Sequence, residues 1–240
     1  MREEMIYNPN YYQLRGYMIQ TMEKIIAGNQ KSKPHGVLFF GDSIIEWYDI
    51  ENYYPEIRIK YNSGISGATS ESLRWICDEA VIKYKPQVIV LMVGTNDLGN
   101  TNMRSPREIV HNVQILLDLM QGNLPNTHIL LLETLPCDEK FQGSFVGKKM
   151  RSNKMIALLN EEYKIMAQVL PNLVLVPTFE LFLDKQKYSI IPKYTTDGLH
   201  LSEAGYARLT QIIKPVLITY ITDCNLKLDK LHHPVSNINR

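Results

Sequence analysis

Gly36-Val37-Leu38-Phe39-Phe40-Gly41-Asp42-Ser43 passes from four apolar residues to two polar ones across a single glycine. The apolar run is short, continuous and bounded by glycines, which predicts a strand buried on both faces, as in a parallel sheet. Working outward, segments of two periods alternate. Upstream, Tyr11 to Ala27 places Leu14, Met18, Met22, Ile25 and Ile26 on one face, the pattern of an amphipathic helix. Downstream, a second strand is expected over Ile57 to Tyr61 and a helix over Ser70 to Tyr84. Val88 to Val93 is the strongest strand, uncharged and ending at Gly94. Ser105-Pro106 marks a helix start, N-cap followed by proline, running to about Met120. His128 to Glu133 reads as a strand, Lys149 to Val169 as a long helix, Leu173 to Val176 as a last short strand and Ser202 to Tyr220 as a closing helix.

This alternation predicts one three-layer α/β domain with a mostly parallel sheet. No repeat or linker interrupts it, so residues 1–222 are expected to form a single domain that includes the N-terminal helix. From Asp223 to Arg240 periodicity is lost, and a loose extension is expected. The chain has 240 residues, 45% of them hydrophobic, enough for one such core. A net charge of +1 supplies no field to recruit nucleic acid or an anionic membrane. Three widely spaced cysteines, Cys77, Cys137 and Cys224, suit buried thiols in a reducing compartment. The polar, tyrosine-rich N-terminus lacks the pattern of a signal peptide, and no apolar run reaches the roughly 20 residues of a membrane span. A cytoplasmic location is the expectation, although a chain trimmed of its leader would read the same.

In open parallel sheets ligands bind beyond the carboxyl ends of the strands. The segments at those ends here are polar and glycine-bearing: Gly41-Asp42-Ser43, Asn62-Ser-Gly-Ile-Ser-Gly67 and Gly94-Thr95-Asn96-Asp97. Asp197-Gly-Leu-His200 precedes the last helix. A serine at the apex of a tight turn becomes nucleophilic when a base takes its proton, and Gly41 supplies the freedom for such a turn. Histidine is the base suited to neutral pH, and a carboxylate fixes its tautomer. Asp197 and His200 are three residues apart, so one turn of backbone can place both on one side. A developing oxyanion needs donors such as a glycine-turn N–H and an asparagine side chain, and Gly67 and Asn96 are of those kinds. Alone, each tripeptide is bland: GDS is commonly a strand-to-helix turn with a cap. Together, in this order and each at a strand exit, they are not.

The set resembles the SGNH/GDSL hydrolase family. The blocks are Val37-Leu-Phe-Phe-Gly-Asp-Ser43-Ile-Ile-Glu46, Asn62 to Thr69, Val90-Leu-Met-Val-Gly94-Thr-Asn96-Asp97, and Tyr194-Thr-Thr-Asp197-Gly-Leu-His200-Leu-Ser-Glu-Ala-Gly205-Tyr206. Asn153-x-x-Ile156-x-x-Leu159-Asn160 is a further family habit. The likeness runs from Gly36 to Tyr220 and looks nearest to the bacterial branch likened to platelet-activating-factor acetylhydrolase subunits. It implies a three-layer α/β/α sandwich around a flavodoxin-like five-stranded parallel sheet. It also implies Ser43 as nucleophile, His200 as base and Asp197 as its orienter. The implied oxyanion donors are the N–H groups of Ser43 and Gly67 and the Asn96 side chain, with Asp42 and Thr95 supporting the loops. No metal or organic cofactor is implied. The Cys137 to Gly147 loop fits no family pattern.

The implied activity is hydrolysis of a carboxylic ester through an acyl-enzyme. Its partner would be a small-molecule ester: an acylated sugar, a lipid or a small ester. Short polar loops without an apolar lid-like insertion favour short acyl groups such as acetyl. The rival readings are thioester or lysophospholipid cleavage, acyl transfer with the same residues, and a non-catalytic binding module, which would be expected to have lost one of these residues. A nucleotide- or flavin-binding protein would need a GxGxxG or Walker loop after its first strand, and there is none. A homo-oligomer is left open. Elsewhere, His35, His111, His128, His232 and His233 lack ligands at metal spacing and read as surface or packing residues. Glu46 and Trp47 either shape the pocket mouth or cover the first helix. Tyr7, Tyr11, Tyr12 and Tyr17 either form an interface or pack, and packing is the expectation.

Overall fold

The computed structural model describes residues 14–100, 105–140, 151–222 and 225–226. Five parallel strands, β1 Val37–Gly41, β2 Lys60–Gly64, β3 Val88–Met92, β4 His128–Leu132 and β5 Leu173–Val176, form one sheet in the order β2-β1-β3-β4-β5. Around it run α1 Gly16–Asn29, α2 Ser43–Glu46, α3 Ile50–Tyr53, α4 Ser70–Trp75, α5 Cys77–Ala80, α6 Thr95–Asn100, α7 Pro106–Asn123, α8 Asn153–Ala167, α9 Phe179–Phe182 and α10 Glu203–Ile218. Pleating sends alternate side chains to opposite faces. Leu38, Phe40, Ile89, Leu91, Ile129 and Leu131 share one core with residues of α1, α4, α5, α7 and α8. Val37, Phe39, Val88, Val90, Leu130 and Leu132 share the other with residues of α2, α3 and α10. Each such fully buried side chain contributes about 1.5–3 kcal/mol. These two cores on either side of one sheet are the expected three layers.

The strand order reverses between β1 and β3, so their exits open a crevice at the carboxyl edge of the sheet. Capping brings the chain accurately to and from that edge. Ser105, Ser152 and Ser202 each accept a backbone hydrogen bond at the starts of α7, α8 and α10.

Two expectations need correction, and one pair of strands was not expected. The second strand lies at Lys60–Gly64, three residues beyond the expected Ile57–Tyr61. Ile57 instead bridges to Leu226, while the N–H groups of Arg58 and Ile59 donate to Asn225. The strand itself is polar because it is an edge, paired among the described strands only with β1. The helix expected over Ser70–Tyr84 bends at Ile76 and Val81, both β-branched, although its buried side is continuous through Leu73, Ile76, Cys77, Ala80, Val81 and Tyr84. An unforeseen antiparallel pair, β6 Leu183–Asp184 and β7 Ser189–Ile190, follows β5.

Of the extension after 222, Asn225 is buried and Leu226 is bridged, and the remainder lies outside the described residues. So do Tyr7, Tyr11, Tyr12, Cys224, His232, His233 and most of the Cys137 to Gly147 loop. Cys77 and Cys137 are buried free thiols. His35 adopts φ 63° before β1, His111 is exposed on α7, and His128 stacks against Tyr220 with ring centroids 4.5 Å apart. Among the described residues no helix is long and apolar enough to cross a membrane, and no three His, Cys, Asp or Glu side chains gather as metal ligands.

Candidate active site

Gly41 ends β1 at φ 155°, and a Cβ there would stand 2.2 Å from the Met92 carbonyl oxygen. Only glycine lets the β1 backbone approach β3 so closely and turn at once. Asp42 then caps α2, its Oδ1 accepting from Ile44 N–H at 3.0 Å. Ser43 becomes the first residue of that helix, where backbone N–H groups lack intrahelical partners. Burial pushes the Asp42 carboxyl up to about 6, against the lowering by the Ile44 hydrogen bond and the nearby His200 and Arg151.

The Ser43 hydroxyl oxygen lies 3.0 Å from His200 Nε2. His200 Nδ1 lies 2.7 Å from Asp197 Oδ2, while Asp197 Oδ1 accepts from the backbone N–H groups of Leu199 and His200. Burial tends to raise Asp197, but these hydrogen bonds and the His200 ring win, so its carboxyl lies below its ordinary value. The loop is closed on itself: Thr195 Oγ1 donates to the His200 carbonyl and accepts from Gly198 N–H, both at 2.8 Å. The Trp47 ring lies against the His200 ring, centroids 4.2 Å apart. Trp47 thus sits at the pocket mouth, one of its two expected places.

Gly67 sits beyond β2 at φ 78°, the left-handed region. Glu46 fixes the residue before it, accepting from Ser66 N–H at 2.5 Å and from Thr21 Oγ1 of α1 at 3.2 Å. Tyr17, expected to pack, is instead 43% exposed. Its place on α1 brings the hydroxyl to 3.0 Å from where a Gly67 Cβ would stand, so it borders the site rather than the core.

Asn96 is the second residue of α6, after β3. Its Nδ2 donates to the Ala68 carbonyl at 3.1 Å, so the second and third loops are joined through a side chain. Asp97 ties α6 to α4, accepting from both the N–H and the hydroxyl of Ser70. Full burial pushes the Asp97 carboxyl up to about 7 despite those bonds. Thr95 takes part through its carbonyl, which accepts from Arg151 Nε at 3.0 Å; its buried hydroxyl has no hydrogen-bond partner among the described residues.

The structure therefore brings Ser43, Asp197, His200, Gly67, Asn96, Asp42 and Thr95 to one edge. Arg151 was not legible, because nothing about a lone arginine ahead of Ser152 announces which distant carbonyl it will meet. Asn153 and Asn160 were legible only as parts of a pattern. They are buried and hold the loop after β4, Asn160 pairing with both backbone groups of Thr134 and Asn153 with both of Cys137.

Comparison with known proteins identifies the family. The sequence model of the GDSL-like lipase/acylhydrolase family matches residues 39–208. The human platelet-activating factor acetylhydrolase IB subunit alpha2 is 26% identical over 197 residues, 80% of this chain and 80% of that protein. A solved structure from Streptococcus pneumonia, described in terms of platelet activating factor, superposes with a TM-score of 0.75 at 30% identity, covering 84% of this chain and 92% of that one. The lipase/acylhydrolase from Enterococcus faecalis shares the fold, with a TM-score of 0.64 at 18% identity, over 78% of this chain and 97% of that one. The chain belongs to the GDSL-like lipase/acylhydrolase family and is a hydrolase of the esterase type.

Proposed function

We propose that the protein is a serine esterase that cleaves a carboxylic ester of a short acyl group, acetyl foremost, through an acyl-enzyme. One observation carries the reading. The hydroxyl of Ser43, the His200 ring and the Asp197 carboxylate form an unbroken line of contacts of 3.0 and 2.7 Å. This is hydrogen-bond reach for a nucleophile, its base and an orienting group. Asp197 accepts a hydrogen bond from the His200 Nδ1–H, which leaves Nε2 to accept from the Ser43 hydroxyl.

In the first half-reaction Ser43 Oγ bonds to the ester carbonyl carbon while its proton passes to His200 Nε2. The carbonyl oxygen, now negative, takes hydrogen bonds from the N–H groups of Ser43 and Gly67 and from Asn96 Nδ2. On collapse the bond to the leaving alcohol breaks, and that alcohol takes the proton from His200. Water then attacks the acyl carbon as His200 takes one of its protons. Ser43 departs with that proton restored, and the carboxylic acid is released. His200 shuttles one proton in each half, so no metal or organic cofactor enters. The substrate would be a small-molecule ester, and the acetylhydrolase named among the relatives supports a short acyl group.

The test is an ester panel graded by chain length, from p-nitrophenyl acetate upward and including acetylated saccharides. Ser43→Ala is expected to abolish turnover of every ester the wild type cleaves, with acetyl preferred. Retained activity in Ser43→Ala would overturn the mechanism, and a preference for long chains would overturn the acyl assignment.

A further inference from the structure

We propose that Arg151 is a positioning residue for Asn96, setting the carboxamide in the orientation an oxyanion donor needs; this rests on the serine-esterase reading. The Arg151 side chain is partly buried between α6 and the start of α8, and it meets consecutive residues of the third loop. Its Nε donates to the Thr95 carbonyl at 3.0 Å and its Nη2 reaches Asn96 Oδ1 at 3.4 Å. A carboxamide has one acceptor end and one donor end. With the acceptor end turned to the guanidinium, Nδ2 faces the other way, and one of its two hydrogens goes to the Ala68 carbonyl. In the serine-esterase reading this donor end is the one that serves the oxyanion. Flipping the amide would set its NH2 against a cation and its oxygen against the Ala68 carbonyl oxygen, two repulsions in place of two hydrogen bonds.

The pocket for this guanidinium is built in. Gly99, on the same short helix as Asn96, lies so close that a Cβ would stand 1.9 Å from Nη2 and 2.2 Å from Cζ. Arg151 also carries the positive charge that partly offsets the buried Asp42 carboxyl beside Ser43. A planar fork that donates in two directions at once suits this place; an ammonium is a single point and cannot reproduce it.

A double-mutant cycle tests the proposal, with p-nitrophenyl acetate as substrate and a fluorophosphonate label reporting folded, reactive Ser43. Arg151→Ala is expected to lower kcat about 10- to 30-fold with KM changed less than about twofold, as for a group that acts only in the transition state. In an Asn96→Ala background the same change should cost less than about threefold, since the residue it positions is gone. Arg151→Lys should recover part of kcat. Gly99→Ala, which leaves Arg151 in the chain but fills its slot, should reproduce the kcat loss, and it supplies the reading if Arg151→Ala does not fold. Multiplicative effects of Arg151→Ala and Asn96→Ala would overturn the proposal. So would a rise in KM at constant kcat, which would make Arg151 a substrate-binding residue. Failure of the esterase reading looks different: Ser43→Ala would then stay active whatever Arg151 does.

Discussion

The two sides of the rim are held in different ways. On one side, Asp197 and His200 belong to a single loop, three residues apart, and the loop's own backbone fixes them: Asp197 caps the N–H groups of Leu199 and His200 while Thr195 closes the turn. On the other, Gly67 and Asn96 come from separate loops and are braced from afar, Ser66 by Glu46 and Asn96 by Arg151. Local bracing survives as a spacing in the sequence. Long-range bracing exists only once the chain has folded, and its charged residues look like any others until then.

The difference can be tested from both sides. Asp197→Asn should cost the most, on the order of 10³–10⁴ in kcat, because the wrong tautomer of His200 would face Ser43. A loss below tenfold on the ester panel would show that the loop backbone alone orients the ring. Asn96→Ala should cost less, on the order of 10²–10³ in kcat, the size of one oxyanion donor among three. A loss confined to KM would remove Asn96 from the transition state.

The smallest effect belongs to stability. Asp97 and Asp42, raised by burial to about 7 and about 6, hold protons in the folded state that the unfolded chain gives up near pH 4. Between those values the folded state binds more protons, so stability falls as pH rises from about 4 to about 7. Asp97→Asn should flatten that fall by up to about 3 kcal/mol in urea unfolding, leaving the part due to Asp42. An unchanged slope would place the Asp97 proton elsewhere.

Legibility in the sequence divides along the same line. The strand exits Gly41-Asp42-Ser43 and Gly94 to Asp97, the strand Leu173–Val176, the serine cap at 105 and the closing helix all depend on neighbours in the chain. The edge strand was misplaced because apolar Ile57 and Ile59 looked more strand-like than Lys60 to Gly64. Ile57 in fact spends its pairing on Leu226, more than 160 residues away. Glu46 and Trp47 stood out without a decision between their two roles, since only the fold shows that one holds Ser66 and the other covers His200. Arg151 gave no signal, and the Cβ-free slot made by Gly99 gave none either.

In the proposed mechanism all of this bracing serves one group, the Ser43 hydroxyl, with His200 to activate it as the nucleophile. Reaction of the intact protein with a fluorophosphonate, followed by mapping of the adduct by peptide mass spectrometry, tests that role most directly. One adduct is predicted, on Ser43, formed in step with loss of esterase activity and greatly slowed in His200→Ala. An adduct on another residue accompanying the loss, or full activity after Ser43 is modified, would contradict it.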